Sequence, residues 1–172
     1  LLVSPALGLL KNEKALSIIT YGVCGSLSDS NEIKIGTIYP IRTVYGESHS
    51  NKSESDSMSF KSFTLSKKGF DLVTAQERVL DHSKRKYLNY FAPLVDREAW
   101  GLCLSAKLTQ KAISLYKIVS DHAVSSEQNS KEICQIVKDQ APKWSDSMLE
   151  HYLALNTQKP VSPNQLPSPP IN

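Results

Sequence analysis

Two apolar runs, each ended sharply by turn-forming or charged residues, restrict the folds open to this sequence of 172 residues. LSIITYGVCG (16–25) closes on two glycines, and ISLYKIVSD (113–121) ends in Ser120 and Asp121. Apolar, β-branched runs of this length are typical of strands buried on both faces of a parallel sheet. Open α/β proteins bind ligands beyond the carboxyl ends of such strands, so Asp121 is a candidate site residue. The alternative is that Asp121 only caps the next turn.

Strand and helix patterns alternate along the rest of the chain. The sequence predicts further strands at 1–4 and 70–73, and one or two strands with a bend at 33–46. It predicts helices at 6–15, 96–110, 130–140 and 142–155, and a helix or turn at 81–91. Asp96 is expected to be the N-cap of the helix that follows it, and Pro142 to lie in the first turn of the last helix. The alternation predicts an α/β fold, a three-layer α/β/α sandwich with a mixed central sheet.

The length predicts one domain, at residues 1–155. Segment 46–59 is nearly all polar and rich in serine, which predicts a long mobile loop and a candidate lid. Residues 156–172 are rich in proline and are expected to form an extended or disordered tail. The chain starts with Leu1 instead of Met, so we expect its natural start to lie upstream.

Composition excludes several classes of function. The formal net charge is only +3 and the basic residues are scattered, which argues against a nucleic-acid partner. No apolar run approaches the roughly 20 residues that span a bilayer, which argues against a membrane partner. Cys24, Cys103 and Cys134 are far apart and odd in number, which argues against structural zinc and a disulfide framework and favours the cytoplasm. Cys24 and Cys103 are expected to be small core residues.

Three motifs carry most of the functional information: YGVCGS (21–26), VDREAW (95–100) and VSDHA (119–123). In this order they resemble the purine nucleoside phosphorylase and nucleosidase superfamily, which includes the methylthioadenosine/S-adenosylhomocysteine nucleosidases. Segments 33–45 and 72–79 are similar to the strand after the family's glycine turn and to its base-recognition stretch. The resemblance implies a nucleoside phosphorylase-like fold, a small-molecule nucleoside ligand and a homo-oligomer. It implies no cofactor, with phosphate as a candidate co-substrate.

The same resemblance implies cleavage of the N-glycosidic bond of a purine nucleoside or related nucleoside. Asp121 would assist the leaving base at N7, and Glu98 would bind the ribose hydroxyls. Gly22 and Gly25 would let the backbone pass close to the sugar, phosphate or water. The further candidate substrate-binding residues are Arg78, Val79, Arg97 and Ser120. Taken alone, Glu98 is also favoured in a first helical turn by the helix dipole.

Departures from the family pattern leave alternatives open. Arg97 stands where the family usually has Met, and Arg78 where an aromatic residue that stacks on the purine is expected. Nothing in the sequence matches the first strand, which carries the water-activating Glu of the nucleosidases, so the N-terminal part of the fold is expected to be missing. The sequence therefore does not distinguish hydrolysis by water from phosphorolysis by phosphate. The competing hypotheses are a non-catalytic descendant that binds a nucleoside-like ligand or a protein, and a generic α/β domain with chance motif matches.

Overall fold

A six-stranded mixed sheet organises the part of the chain that the structure, a computed structural model, describes: residues 17–48, 59–123 and 130–157. The elements in chain order are β1 (Ser17–Ser26), β2 (Ile38–Ser48), β3 (Ser59–Thr64), β4 (Phe70–Thr74), α1 (His82–Asn89), β5 (Leu94–Asp96), α2 (Ala99–Leu108), β6 (Ala112–His122) and α3 (Ser130–Thr157). The strand predicted at 1–4, the helix at 6–15, most of the polar loop and most of the proline-rich tail lie outside the described residues.

The strand order is β3-β2-β4-β5-β1-β6, and a further pairing connects the end strand β6 back to β2, which leaves β3 outside the closed arrangement. The two apolar runs of the sequence, β1 and β6, pair in parallel along their whole length, from Ser17 opposite Ala112 to Ser26 opposite His122. β2 with β4 and β4 with β5 are also parallel, whereas β1 with β5, β2 with β3 and β2 with β6 are antiparallel. The predicted mixed sheet is confirmed.

Helices cover both faces of the sheet. Leu72 and Leu94 belong to one core cluster with Cys103 of α2, while Val73 and Val95 belong to a second cluster that includes residues of α1. Neighbouring residues of β4 and of β5 therefore point to opposite faces, as the pleat requires. These two faces, with the sheet between them, form the predicted three-layer α/β/α arrangement.

α3 packs on the middle of β1 and β6 through aromatic contacts. The hydroxyl of Tyr21 lies 2.8 Å from His151 Nδ1, and the His151 ring also packs against Tyr116, with ring centroids 4.8 Å apart. Burial, and then the neighbouring Tyr116 hydroxyl, raise the pKa of Tyr21, so its phenol stays protonated and can donate to the imidazole. None of the described helices is long and apolar enough to cross a membrane.

The structure corrects the predicted boundary between two C-terminal helices. Residues 130–157 form one continuous helix with Pro142 inside it, not two helices with Pro142 in a first turn. An internal proline costs a helix about 3 kcal/mol because its N–H is missing and its ring crowds the preceding turn. Ile133 before the proline and Trp144 after it are both buried, and their packing offsets this cost.

Candidate functional site

The site lies where β1 and β6 end side by side. The register of these strands shifts at this point, so that Cys24 is opposite Val119 but Gly25 is opposite Asp121. Ser120 is the extra residue of this bulge, and bulges often re-aim side chains beside functional sites. Ser120 is buried here, and Asp121 is half-buried at the rim of a cavity.

A cavity of about 160 Å³ opens at this edge of the sheet. Most of the predicted site residues line it, and they come from four separate segments of the chain: Gly25, Arg78, Val79, Arg97, Glu98, Ser120 and Asp121. Gly22 does not line the cavity. A Cβ atom at Gly22 would lie 2.8 Å from Lys117 Nζ, so this glycine makes room for the lysine side chain in place of a ligand.

The Asp121 carboxylate is held by the residue before it. Ser120 Oγ donates to Asp121 Oδ1 over 2.5 Å and also lies 3.1 Å from the Cys24 carbonyl oxygen. Among the described residues, no hydrogen bond involves Asp121 Oδ2. The serine hydroxyl therefore orients the carboxyl group through Oδ1, and Oδ2 is the oxygen that can exchange a proton or hydrogen bond with a ligand.

Glu98 occupies the N-cap position of α2 without capping the helix. Its side chain makes no cap hydrogen bond, is 45% exposed, and places Oε2 3.9 Å from Lys117 Nζ. The first helical N–H is bound instead by Asp96, whose Oδ2 accepts from the Ala99 N–H over 2.9 Å. The predicted capping role of Asp96 is confirmed by this hydrogen bond, but the helix begins later than expected: Asp96 ends β5, and Glu98 occupies the N-cap position. This arrangement leaves the Glu98 carboxylate for a ligand.

Lys117 and Asp96 form a buried ion pair that the motifs did not indicate. Lys117 Nζ lies 2.7 Å from Asp96 Oδ2, and the side chains are 4% and 0% exposed. Thr74 Oγ1 donates to Asp96 Oδ1 over 2.9 Å and accepts from the Trp100 backbone N–H over 2.9 Å. Buried charges need a partner and full hydrogen bonding. The lone lysine within the apolar run 113–121 was the sequence signal for such a partner.

Two arginines and an apolar wall complete the cavity. Arg97 is exposed directly before Glu98, whereas Arg78 is half-buried, with its Nη1 3.9 Å from Cys134 Sγ. The apolar part of the lining consists of Val23, Val79, Val95, Ala123 and Ile133. An apolar wall with a few converging polar groups suits a small ligand that has a flat ring and several polar atoms.

The cysteine thiol at the cavity is not suited to nucleophilic attack. Burial raises the pKa of Cys24 far above its ordinary value, so the thiol stays protonated at neutral pH, although the Lys117 ammonium opposes the shift. Within ranges 17–48, 59–123 and 130–157, no three His, Cys, Asp or Glu side chains are grouped so that they could hold a metal ion. His122 is exposed and lies outside the cavity lining.

No protein-family model matches the sequence, and no curated protein matches it. Several solved structures do. A 5′-methylthioadenosine/S-adenosylhomocysteine nucleosidase from Helicobacter pylori matches with a TM-score of 0.63 and 13% identity, over 87% of this chain and 74% of that chain. The futalosine hydrolase of the same organism gives a TM-score of 0.65 and 14% identity, over 87% and 74% of the two chains.

A third match is to a nucleosidase from Chlamydia trachomatis, with a TM-score of 0.62 and 16% identity over 88% of this chain and 71% of that chain. At this level of identity the likeness establishes the architecture: the described chain has the α/β fold of the nucleoside phosphorylase and nucleosidase superfamily. The fold expected from the sequence motifs is therefore confirmed.

Proposed function

We propose that the protein cleaves the N-glycosidic bond of a purine nucleoside or a related nucleoside. One observation carries this proposal: residues distant in the sequence, Gly25, Glu98 and Asp121 among them, converge on one cavity at the ends of β1 and β6. Solved structures with the same fold are named as nucleosidases and a futalosine hydrolase, which supports the same reaction class. The convergence argues against the generic α/β domain with chance motif matches.

Asp121 assists departure of the base in this proposal. As the bond between the sugar carbon and the purine nitrogen breaks, its electron pair moves onto the base, and negative charge develops on the ring. A proton or hydrogen bond from Asp121 Oδ2 to the purine N7 stabilises this charge. Ser120, which donates to Oδ1, keeps the carboxyl group oriented for the transfer.

Glu98 binds the two ribose hydroxyls. An ionised carboxylate only accepts hydrogen bonds, and its two oxygens match a vicinal diol. The Glu98 side chain is available for this role because Asp96 caps the helix in its place. The sugar, which becomes positively charged as the base leaves, is attacked by water in a nucleosidase or by phosphate in a phosphorylase. Attack by water forms the C1′–OH of the free sugar and releases a proton, whereas attack by a phosphate oxygen forms the sugar 1-phosphate.

The test is chromatographic release of free base. The purified protein is incubated with methylthioadenosine, S-adenosylhomocysteine, inosine and guanosine, with and without phosphate. We expect Asp121→Asn to lower the rate about a hundredfold or more, because general acid catalysis is worth about 10²–10⁴ in rate. Glu98→Gln is expected to weaken substrate binding as well. Dependence on phosphate would identify the nucleophile.

His122→Gln is the matched control, since His122 is the adjacent residue, is exposed and lies outside the cavity lining. Equal loss in this variant and in Asp121→Asn would mean that the strand end, not the carboxylate, is needed. Binding of a nucleoside without release of base by the parent protein would support the non-catalytic descendant instead. Neither binding nor release with any nucleoside would refute the proposed function.

A further inference from the structure

Two arginines, Arg78 and Arg97, line the cavity together with its acidic residues. Arg97 lies between Asp96 and Glu98, is exposed, and makes no hydrogen bond or ion pair with the residues that the structure describes. Arg78 comes from the segment between β4 and α1 and is half-buried beside Cys134. Arginine stays protonated at any physiological pH, so both groups bring full positive charge to the ligand space.

The positive charge of Arg97 is not used to neutralise its neighbour Asp96. That carboxylate already has Lys117 at 2.7 Å and accepts hydrogen bonds from Thr74 and from the Ala99 N–H. A neutral nucleoside offers no group that needs a guanidinium, whose planar fork of N–H donors matches the paired oxygens of a carboxylate or phosphate. An anionic group on the ligand would give the exposed Arg97 guanidinium a charged partner.

We propose that the preferred substrate is a nucleoside with an anionic group on its sugar, a phosphate or a carboxylate, bound by Arg97 with Arg78 as a second cation. The inference rests on the proposed function, since it takes Glu98 as the residue that binds the ribose. Arg97 directly precedes Glu98 in the chain and both residues line the cavity, so in this proposal the anion is attached to the part of the ligand that Glu98 binds, the sugar. A second guanidinium lowers the cost of bringing an anion near Glu98 and Asp121.

The experiment compares matched ligand pairs that differ only in the anion. One pair is adenosine and adenosine 5′-phosphate; the other is 5′-propylthioadenosine and 5′-(2-carboxyethyl)thioadenosine, in which a carboxylate replaces the terminal methyl group. Binding is measured by calorimetry in the Asp121→Asn background, so that turnover does not interfere. We expect the anionic member of a pair to bind about tenfold or more tightly, as a charge-assisted hydrogen bond provides. The pair with the larger ratio distinguishes phosphate from carboxylate.

Arg97→Met should bring the ratio of the affinities for the anionic and the neutral member of each pair close to one. Arg97→Lys, which keeps the charge but loses the fork, should retain part of the preference. Lys86→Met is the matched control, because it removes one positive charge from an exposed position of α1 outside the cavity. Its ligand preference should equal that of the parent.

The outcomes separate this inference from the proposed function. Equal binding of both members in every pair, unchanged by Arg97→Met, would overturn the anionic substrate while base release by the parent could still establish the enzyme. Arg97-dependent binding of an anionic nucleoside that the parent never cleaves would support the anion site and refute the catalytic proposal. Failure of every ligand to bind would overturn both.

Discussion

Lys117 connects the candidate site to the protein core. Its ammonium group lies in the space left by Gly22, contacts the Asp96 carboxylate at 2.7 Å and faces Glu98 at 3.9 Å. Asp96 in turn fixes the start of α2 and hence the place of Glu98. One buried charge pair therefore supports the fold and sets the electrostatic surroundings of the residue that we assign to the sugar.

Removal of Lys117 alone should be strongly destabilising. We expect Lys117→Met to lower the free energy of unfolding by about 3 kcal/mol or more, because it leaves the Asp96 carboxylate buried without its cation. The double variant Asp96→Asn/Lys117→Met should recover part of that loss, since asparagine is neutral and can still accept from the Ala99 N–H. Urea denaturation of the parent, both single variants and the double variant measures the coupling.

Additive losses in that cycle would contradict the proposed coupling between the two side chains.

The sequence motifs identify some residues of the candidate site but not others. Asp121 and Glu98 stand out because they lie within recognisable motifs. The role of Lys117 depends on the register that places it opposite Gly22, and that pairing joins residues almost a hundred positions apart in the chain. No local pattern contains this information.

At the scale of elements, α2 packs on the sheet through a contact that requires a glycine in β2. Gly46 of β2 is buried, and a Cβ atom there would overlap the indole ring of Trp100 in the first turn of α2. The same tryptophan packs against Phe63 of β3, with ring centroids 4.6 Å apart. The helix that begins beside Glu98 is thus held at its start by both the Asp96 cap and this glycine contact.

Gly46→Ala is expected to lower the free energy of unfolding by about 1–3 kcal/mol, because a methyl group inserted into a packed contact forces the ring or the strand to move. Trp100→Leu should cost stability by itself but make room for the methyl group. The double variant should then be less destabilised than the sum of the single changes, which thermal and urea denaturation can establish. A loss in the double variant equal to that sum would place the strain elsewhere.

The sequence predicts an element correctly when the element is long and has a clear pattern of apolar residues. β1 and β6 are long, apolar runs, so both were found, and α2 was found from the helical spacing of its apolar residues. β5 has only three residues, and β3 reads as a polar connector, so neither was predicted. Their strand character comes from pairing with neighbours that are distant in sequence. The predicted break between two helices at Pro142 is wrong because the buried side chains before and after the proline offset the free-energy cost of a proline inside a helix.

At the scale of the whole molecule, the pairing of β2 with β6 connects the end strand β6 back to the second strand of the order, so that only β3 lies outside the closed arrangement. Six strands are thereby linked into one continuous hydrogen-bonded system with a core cluster on each face. Such a system should open as a unit, because the central strands cannot be exposed without separating their neighbours. The cysteines report on this, since Cys24 of β1 and Cys103 of α2 lie in one cluster and Cys134 is exposed.

Thiol labelling tests whether the described fold unfolds cooperatively. Burial raises the pKa of Cys103 to about 12, and that of Cys24 above its ordinary value also, so both thiols lack the reactive thiolate and are hidden from reagent. We expect one of the three cysteines, Cys134, to react quickly with an aromatic disulfide in the native protein. The other two should react together, at a rate that rises with urea as global unfolding does.

Cys134→Ser removes the fast phase and provides the control, because its side chain is exposed and outside both core clusters. Fast labelling of Cys24 ahead of Cys103 would show that the strand end beside Asp121 opens separately from the helix that carries Glu98. The two halves of the site would then be joined only when ligand binds. Simultaneous labelling means instead that the closed sheet holds Asp121 and Glu98 in one preformed site, so that binding need not supply the free energy of assembling it.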